Sequence, residues 1–201
     1  MDCFSLAPPD VPRNENLTLP NKRVIYLKKE WYGKPAKFER AQKHPIPFVV
    51  ISHTVTDPCY TYTECASQMR SMQDVYMSGK FPDLGYNFVV GGDGNVYEAR
   101  GWDVTSMHTG YVRYCNLGIS LIGNFVQDIP TNAQSNATQD LIKLGVKLGK
   151  IDQNYKLVAM SDTGGGSTLS PGKNLYEIME KWPHFWRPSE DDIGMCPFDV
   201  K

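Results

Sequence analysis

Four short segments of this chain gather the residue types that can do chemistry: VVISHTVT (Val49 to Thr56), LGYNFVVGGDGNVYEARGW (Leu84 to Trp102), SMHTGY (Ser106 to Tyr111) and SDTGGGSTLSPG (Ser161 to Gly172). They supply the imidazoles of His53 and His108, the Tyr86 phenol, the Arg100 guanidinium, the Trp102 indole and the Asp162 carboxylate. An arginine grips a carboxylate through a two-pronged hydrogen bond, and sugar or peptide recognition uses aromatic faces with a few oriented donors. Each residue also has a plainer role. Trp102 serves equally as core packing, His108 as a satisfied structural histidine and Tyr86 as a strand tyrosine. Cys59 and Cys65, six residues apart, suit a disulfide, two free thiols or half of a metal site, and no second cysteine pair lies nearby.

Alternating strands and helices must position these segments. Phe48 to Ile51 is a continuous apolar, mostly β-branched run suited to a buried central strand. Asn87 to Val90 and Val96 to Arg100 flank Gly91-Gly92-Asp93-Gly94, a strong hairpin signal. Leu117 to Ile122 and Lys156 to Met160 complete the strand set. Helical stripes run through Cys65 to Gly79 and Ala137 to Leu148, and a third helix is expected over Pro171 to Trp182, with proline at its start. The pattern predicts an α/β fold: one domain, a central mixed β-sheet packed by about three α-helices.

The 201 residues fit one globular domain with a sizeable core. A net charge of -1 and scattered basic residues exclude the footprint of a nucleic-acid binder. No apolar run approaches the length of a membrane span, and residues 1–20 lack the basic start and apolar stretch of a signal peptide. Asn16-Leu17-Thr18 and Asn136-Ala137-Thr138 are glycosylation acceptor sequences. Cys3 and Cys196 lie in the two tails and pair if the termini meet, which leaves Cys115 as the odd cysteine, buried and inert or bonded elsewhere.

Read together, VVISHTVT, LGYNFVVGGDGNVYEARGW and SDTGGGSTLSPG resemble the peptidoglycan recognition proteins, relatives of the zinc amidases that cut the bond between muramic acid and L-alanine. The resemblance runs from Val24 to Phe185. It implies an N-terminal extension (1–22), a recognition domain (23–186) and a C-terminal tail (187–201). In the amidase members the first strand ends in His-His-Thr, whose first histidine binds zinc, and the matching residue here is Ser52. Their other two ligands lie in HRQVSATxCPG. Aligned on Ser170-Pro171-Gly172, this pattern puts Asp162 at the histidine and Ser170 at the cysteine. A catalytic zinc needs three protein donors, typically imidazole or thiolate, and an open position for water. Hydroxyls are poor zinc ligands, and one carboxylate with two hydroxyls holds even a hard cation weakly. Neither a metal nor another cofactor is therefore expected, and Tyr86, at the family's catalytic tyrosine, has nothing to activate.

The resemblance further implies a muropeptide cleft lined by His53, Thr54, Phe81, Tyr86, Arg100, Trp102, His108, Thr109 and Ser170, and a short-loop disulfide between Cys59 and Cys65. With the sequons Asn16 and Asn136, the disulfide favours an extracellular domain, the ectodomain of a membrane-anchored receptor. Several positions depart from the family pattern. Phe81 stands where many relatives carry tryptophan, SMHTGYVRYCNLG replaces GAHTxGYNxxSxG, and Gly164, Gly165 and Gly166 replace larger residues. The departures weigh toward a noncatalytic receptor or coreceptor that pairs with another family member loaded with diaminopimelate-type muropeptide. The alternatives are a direct muropeptide receptor using its own cleft and, remotely, a zinc amidase with relocated ligands.

Overall fold

In the computed structural model, which describes residues 17–109, 112, 114–164 and 167–189, the apolar run at Phe48 widens into the long central strand β2 (Ile46–His53). Around it assemble β1 (Ile25–Tyr26), β3 (Phe88–Val90), β4 (Val96–Glu98), β5 (Asn116–Leu121) and β6 (Ile151–Ala159) in the order β1-β4-β3-β5-β2-β6. The β3–β4 hairpin is antiparallel and every other pairing is parallel, so the sheet is mixed as expected. Two-residue β1 is too short to leave a periodic signal in sequence.

Three α-helices pack on this sheet: α1 (Tyr62–Ser78), α2 (Asn132–Lys147) and α3 (Lys173–Met179). The first two begin before their apolar stripes because polar capping boxes start them, Thr61 with Glu64 and Thr131 with Gln134. The third begins two residues later than its proline suggests. Gly172 takes φ 88° at the cap, and a β-carbon there would lie 2.4 Å from the Phe125 carbonyl carbon.

Alternation along the strands divides the interior. Val49 and Ile51 of β2 and Leu117 and Ile119 of β5 point into the main core with Leu141 and Ile142 of α2 and Leu175 of α3. Leu17 and buried Leu19 pack there too. A second core lies under α1, around Met69, Leu84, Val89 and Tyr97. The opposite face of β2 and β5 carries Phe48, Val50 and Ser52 beside Asn116, Gly118 and Ser120, with Ser52 and Ser120 in register. Small and polar residues there leave a floor that no helix among the described residues covers. Its lower end is sealed by Phe48, Val50, Val112, Cys115 and Val158, with Trp186 packed against Phe48 at 5.9 Å.

Cys59 and Cys65 form a disulfide, Cα atoms 5.2 Å apart, that ties the β2–α1 loop to α1. Cys3, Cys196 and Asn16 lie outside the described residues. Cys115 is itself disulfide-bonded. Asn136 is exposed on α2. No helix of the described residues is long and apolar enough to cross a membrane.

Candidate ligand cleft

The uncovered floor opens into a cleft of about 740 Å3 whose lining includes Ser52, His53, Thr54, Phe81, Tyr86, His108 and Ser170. The carboxyl-terminal ends of β2 and β5 and the loop before α3 converge at one end of it. There the His53 amide donates to Ser170 Oγ at 3.1 Å, and the Gly123 amide donates to Thr54 Oγ1 at 3.1 Å. The Phe125 amide donates to His53 Nδ1 at 3.2 Å, which sets the neutral ring with its proton on Nε2. Burial lowers the His53 pKa, reinforcing that neutral form.

His108 forms the middle of the wall. Its ring lies against the backbone of Gly118, where a β-carbon would sit 2.1 Å from Cε1, and Tyr86 meets it edge-on at 5.1 Å. Glycine at position 118 is therefore what admits the imidazole. Burial pushes the His108 pKa down to about 3. Both His108 ring nitrogens and the Ser120 hydroxyl are buried without a hydrogen-bond partner. The Gly85 carbonyl and the Tyr86 hydroxyl lie close to them, yet neither contact has hydrogen-bond geometry. Tyr86 receives a 3.3 Å hydrogen bond from the Tyr76 hydroxyl, and burial raises its own pKa.

Three expected cleft residues lie elsewhere. Arg100 is buried, with Nε donating to the Thr105 carbonyl at 2.7 Å and Nη1 to the Leu84 carbonyl at 3.4 Å. It clamps two loops from within and offers no free guanidinium to a ligand. Trp102 packs on Phe88 at 4.5 Å, in the main core on the other side of the sheet. Thr109 is buried behind the wall and accepts from Asn116 Nδ2 at 2.9 Å. In their place the lining gains Tyr76 of α1, Met107, Asn124, Val126 and Met160. Tyr76 belongs to the apolar stripe of α1, so only its hydroxyl hinted at a role beyond packing.

Asp162 is also turned aside. It sits in a 3-10 turn after β6, where Oδ2 accepts from the Tyr176 hydroxyl at 2.8 Å and Oδ1 from Ser161 Oγ at 3.0 Å. Arg187 Nε donates to that same Tyr176 hydroxyl at 3.0 Å and pairs with Glu180. Two hydroxyls in the cleft and a carboxylate committed to α3 do not fit the donor set of a zinc centre. Among the described residues no group of three histidine, cysteine or acidic side chains is placed to hold a metal.

The family profile described as N-acetylmuramoyl-L-alanine amidase matches residues 42–173. Peptidoglycan-recognition protein SA of Drosophila melanogaster is 40% identical over 166 residues, covering 82% of this chain and 81% of that protein. The chain belongs to the peptidoglycan recognition protein family. Among solved structures of the family, the tracheal-cytotoxin-bound ectodomain complex of recognition proteins LCa and LCx superposes with a TM-score of 0.79 at 42% identity, covering 82% of this chain and 99% of that one. Recognition protein LE in complex with tracheal cytotoxin, a monomeric diaminopimelic acid-type peptidoglycan, gives 0.78 at 35% identity, over 81% and 96% of the two chains. The mixed sheet and three helices found here are thus those of the peptidoglycan recognition proteins, and membership in that family places this domain among proteins of peptidoglycan recognition in innate immunity.

Proposed function

We propose that this domain is a noncatalytic, extracellular recognition domain for bacterial muropeptide, a receptor or coreceptor that pairs with another peptidoglycan recognition protein carrying diaminopimelate-type muropeptide. The observation that carries the noncatalytic reading is Asp162. At the position where the amidases use a histidine, this carboxylate is engaged by Tyr176 and Ser161, while the other two positions are hydroxyls. Without a metal the phenol of Tyr86 has no bound water or oxyanion to assist. Pairing is supported by likeness to the LCa and LCx ectodomain complex. An anchored ectodomain accords with the disulfide between Cys59 and Cys65 and with the exposed sequon at Asn136.

A second reading, direct binding through this chain's own cleft, is favoured by the open 740 Å3 cavity and the hydroxyl, amide and aromatic side chains that line it. Calorimetric titration with a monomeric diaminopimelate muropeptide separates the two. Heat with the domain alone assigns direct binding. Silence alone, followed by ligand-dependent association once a binding-competent family member is added, assigns a coreceptor. Zinc-dependent release of stem peptide, abolished by a chelator, would overturn both.

A further inference from the structure

The outer face of α2 carries two adjoining depressions that the recognition cleft leaves unused. One, of about 300 Å3, is polar: Asn136, Gln139, Asp140 and Lys143 of α2 face Asn21 and Arg23 of the segment before β1. The Arg23–Asp140 ion pair, 2.7 Å long, braces it, and the neutral amides of Asn21 and Gln139 stand beside that pair. The other, of about 250 Å3, is apolar and aromatic. Ile142 and Val146 of α2, Tyr155 of β6 and Trp182 and His184 after α3 line it, with Tyr155 stacked on His184 at 4.3 Å. Gln139 and Lys143 belong to both depressions. The two therefore form one track along the helix, polar at the Asn136 end and apolar two turns on, about 10 Å away. An uncharged sugar chain suits that order, because hydroxyl and acetamido groups take polar partners while the C–H faces of the rings pack on apolar and aromatic walls. Asn136 can hold such a chain: its side chain is exposed, and Asn136-Ala137-Thr138 is an N-glycosylation sequence.

We infer that Asn136 carries an N-linked glycan whose first two N-acetylglucosamine units lie along α2, the first in the polar depression and the second over the apolar one, sealing this face against protein partners. The inference rests on the extracellular reading, which gives the chain access to glycosylation. In the transfer, Asn136 Nδ2 forms a bond to C1 of the reducing-end sugar of a lipid pyrophosphate-linked oligosaccharide. The C1–O bond to phosphate breaks, the lipid pyrophosphate leaves, and the amide gives up one proton. Thr138 Oγ1 is buried and donates to the Gln134 carbonyl at 2.9 Å, so the acceptor sequence is read before α2 folds. Ala137 and Leu141 of the same helix pack into the main core, on the other side of the sheet from the recognition cleft. The glycan thus closes the back of the domain and leaves the cleft side open to ligand and partner.

The test is secretion of the full chain from eukaryotic cells behind a cleavable leader, with Asn16→Gln so that one acceptor sequence remains, and with Asn136→Gln added as the unglycosylated counterpart. Mass spectrometry of the α2 peptide is expected to find the glycan on Asn136. The unglycosylated form should melt about 2–4 °C lower, the shift of one net hydrogen bond in a chain of this length. The ring resonances of Tyr155 and His184 should differ between the two forms, and trimming the glycan to its first sugar should return them to their unglycosylated positions. Muropeptide-dependent association with a binding-competent family member should be the same for both forms. A secreted, disulfide-bonded chain bare at Asn136 would overturn the inference and leave the recognition reading standing. A glycan that moves neither Tm nor those resonances would overturn its seat on α2, and tighter pairing of Asn136→Gln would overturn the seal. Failure of both forms to bind muropeptide or to pair would count against the proposed function and leave the placement of the glycan intact.

Discussion

Acidification tests the environment assigned to His108. In the unfolded chain this imidazole takes its proton near pH 6.5, whereas in the folded protein it resists until about pH 3. Between those values the unfolded state binds more protons, so stability falls as the pH falls. Applied between pH 7 and pH 5, linkage gives a loss of about 2 kcal/mol from this one group. For a chain of this size that corresponds to a drop in Tm of roughly 4–8 °C. The measurement is denaturant unfolding of the wild type and of His108→Gln at both pH values, since the carboxylates and His53 contribute alike to both proteins. The wild type should lose about 2 kcal/mol more than the variant over this interval. Equal losses, or an imidazole resonance of His108 that titrates above pH 6, would refute the buried neutral ring.

Three further outcomes are expected. Gly118→Ala would drive a β-carbon into the His108 ring, which already lies 2.1 Å from the point that atom would occupy; the expected result is a loss of about 1–3 kcal/mol in denaturant unfolding together with a moved His108 resonance. Zinc should leave Tm unchanged, because a site occupied at a hundredfold excess over its Kd stabilises by about 2.7 kcal/mol; a zinc-dependent rise in Tm would contradict the donor set described above. Replacing Cys59 and Cys65 together by serine opens the short loop between them and should lower stability by about 2 kcal/mol, read from the urea midpoint.

The strands of the main core were legible because burial on both faces writes a continuous apolar run, as at Phe48 to Ile51, and the hairpin because glycines punctuate it. The cleft was legible in part. His53, Thr54, Tyr86, His108 and Ser170 sit at the ends of strands or in the loops beside them and do reach it. Arg100 and Trp102, one residue apart in sequence from a shared glycine, do not, because a residue's direction out of a turn depends on contacts distant in sequence. Arg100 answers to the carbonyls of Leu84 and Thr105, and Trp102 to Phe88 and to the space left by Gly145. Helix starts were missed where polar caps precede the stripe, as at Thr131 and Gln134.

The bond between Asp162 and Tyr176 acts as a ratchet. Restoring a histidine at position 162 would not simply return a donor to the cleft; it would withdraw the acceptor that holds the Tyr176 hydroxyl and, through it, Arg187 against α3. A chain given a metal-binding histidine there by a single substitution would thus pass through a form weakened at α3. On the proposed noncatalytic reading, the carboxylate that anchors Tyr176 and the histidine of the amidases compete for the same position in the chain.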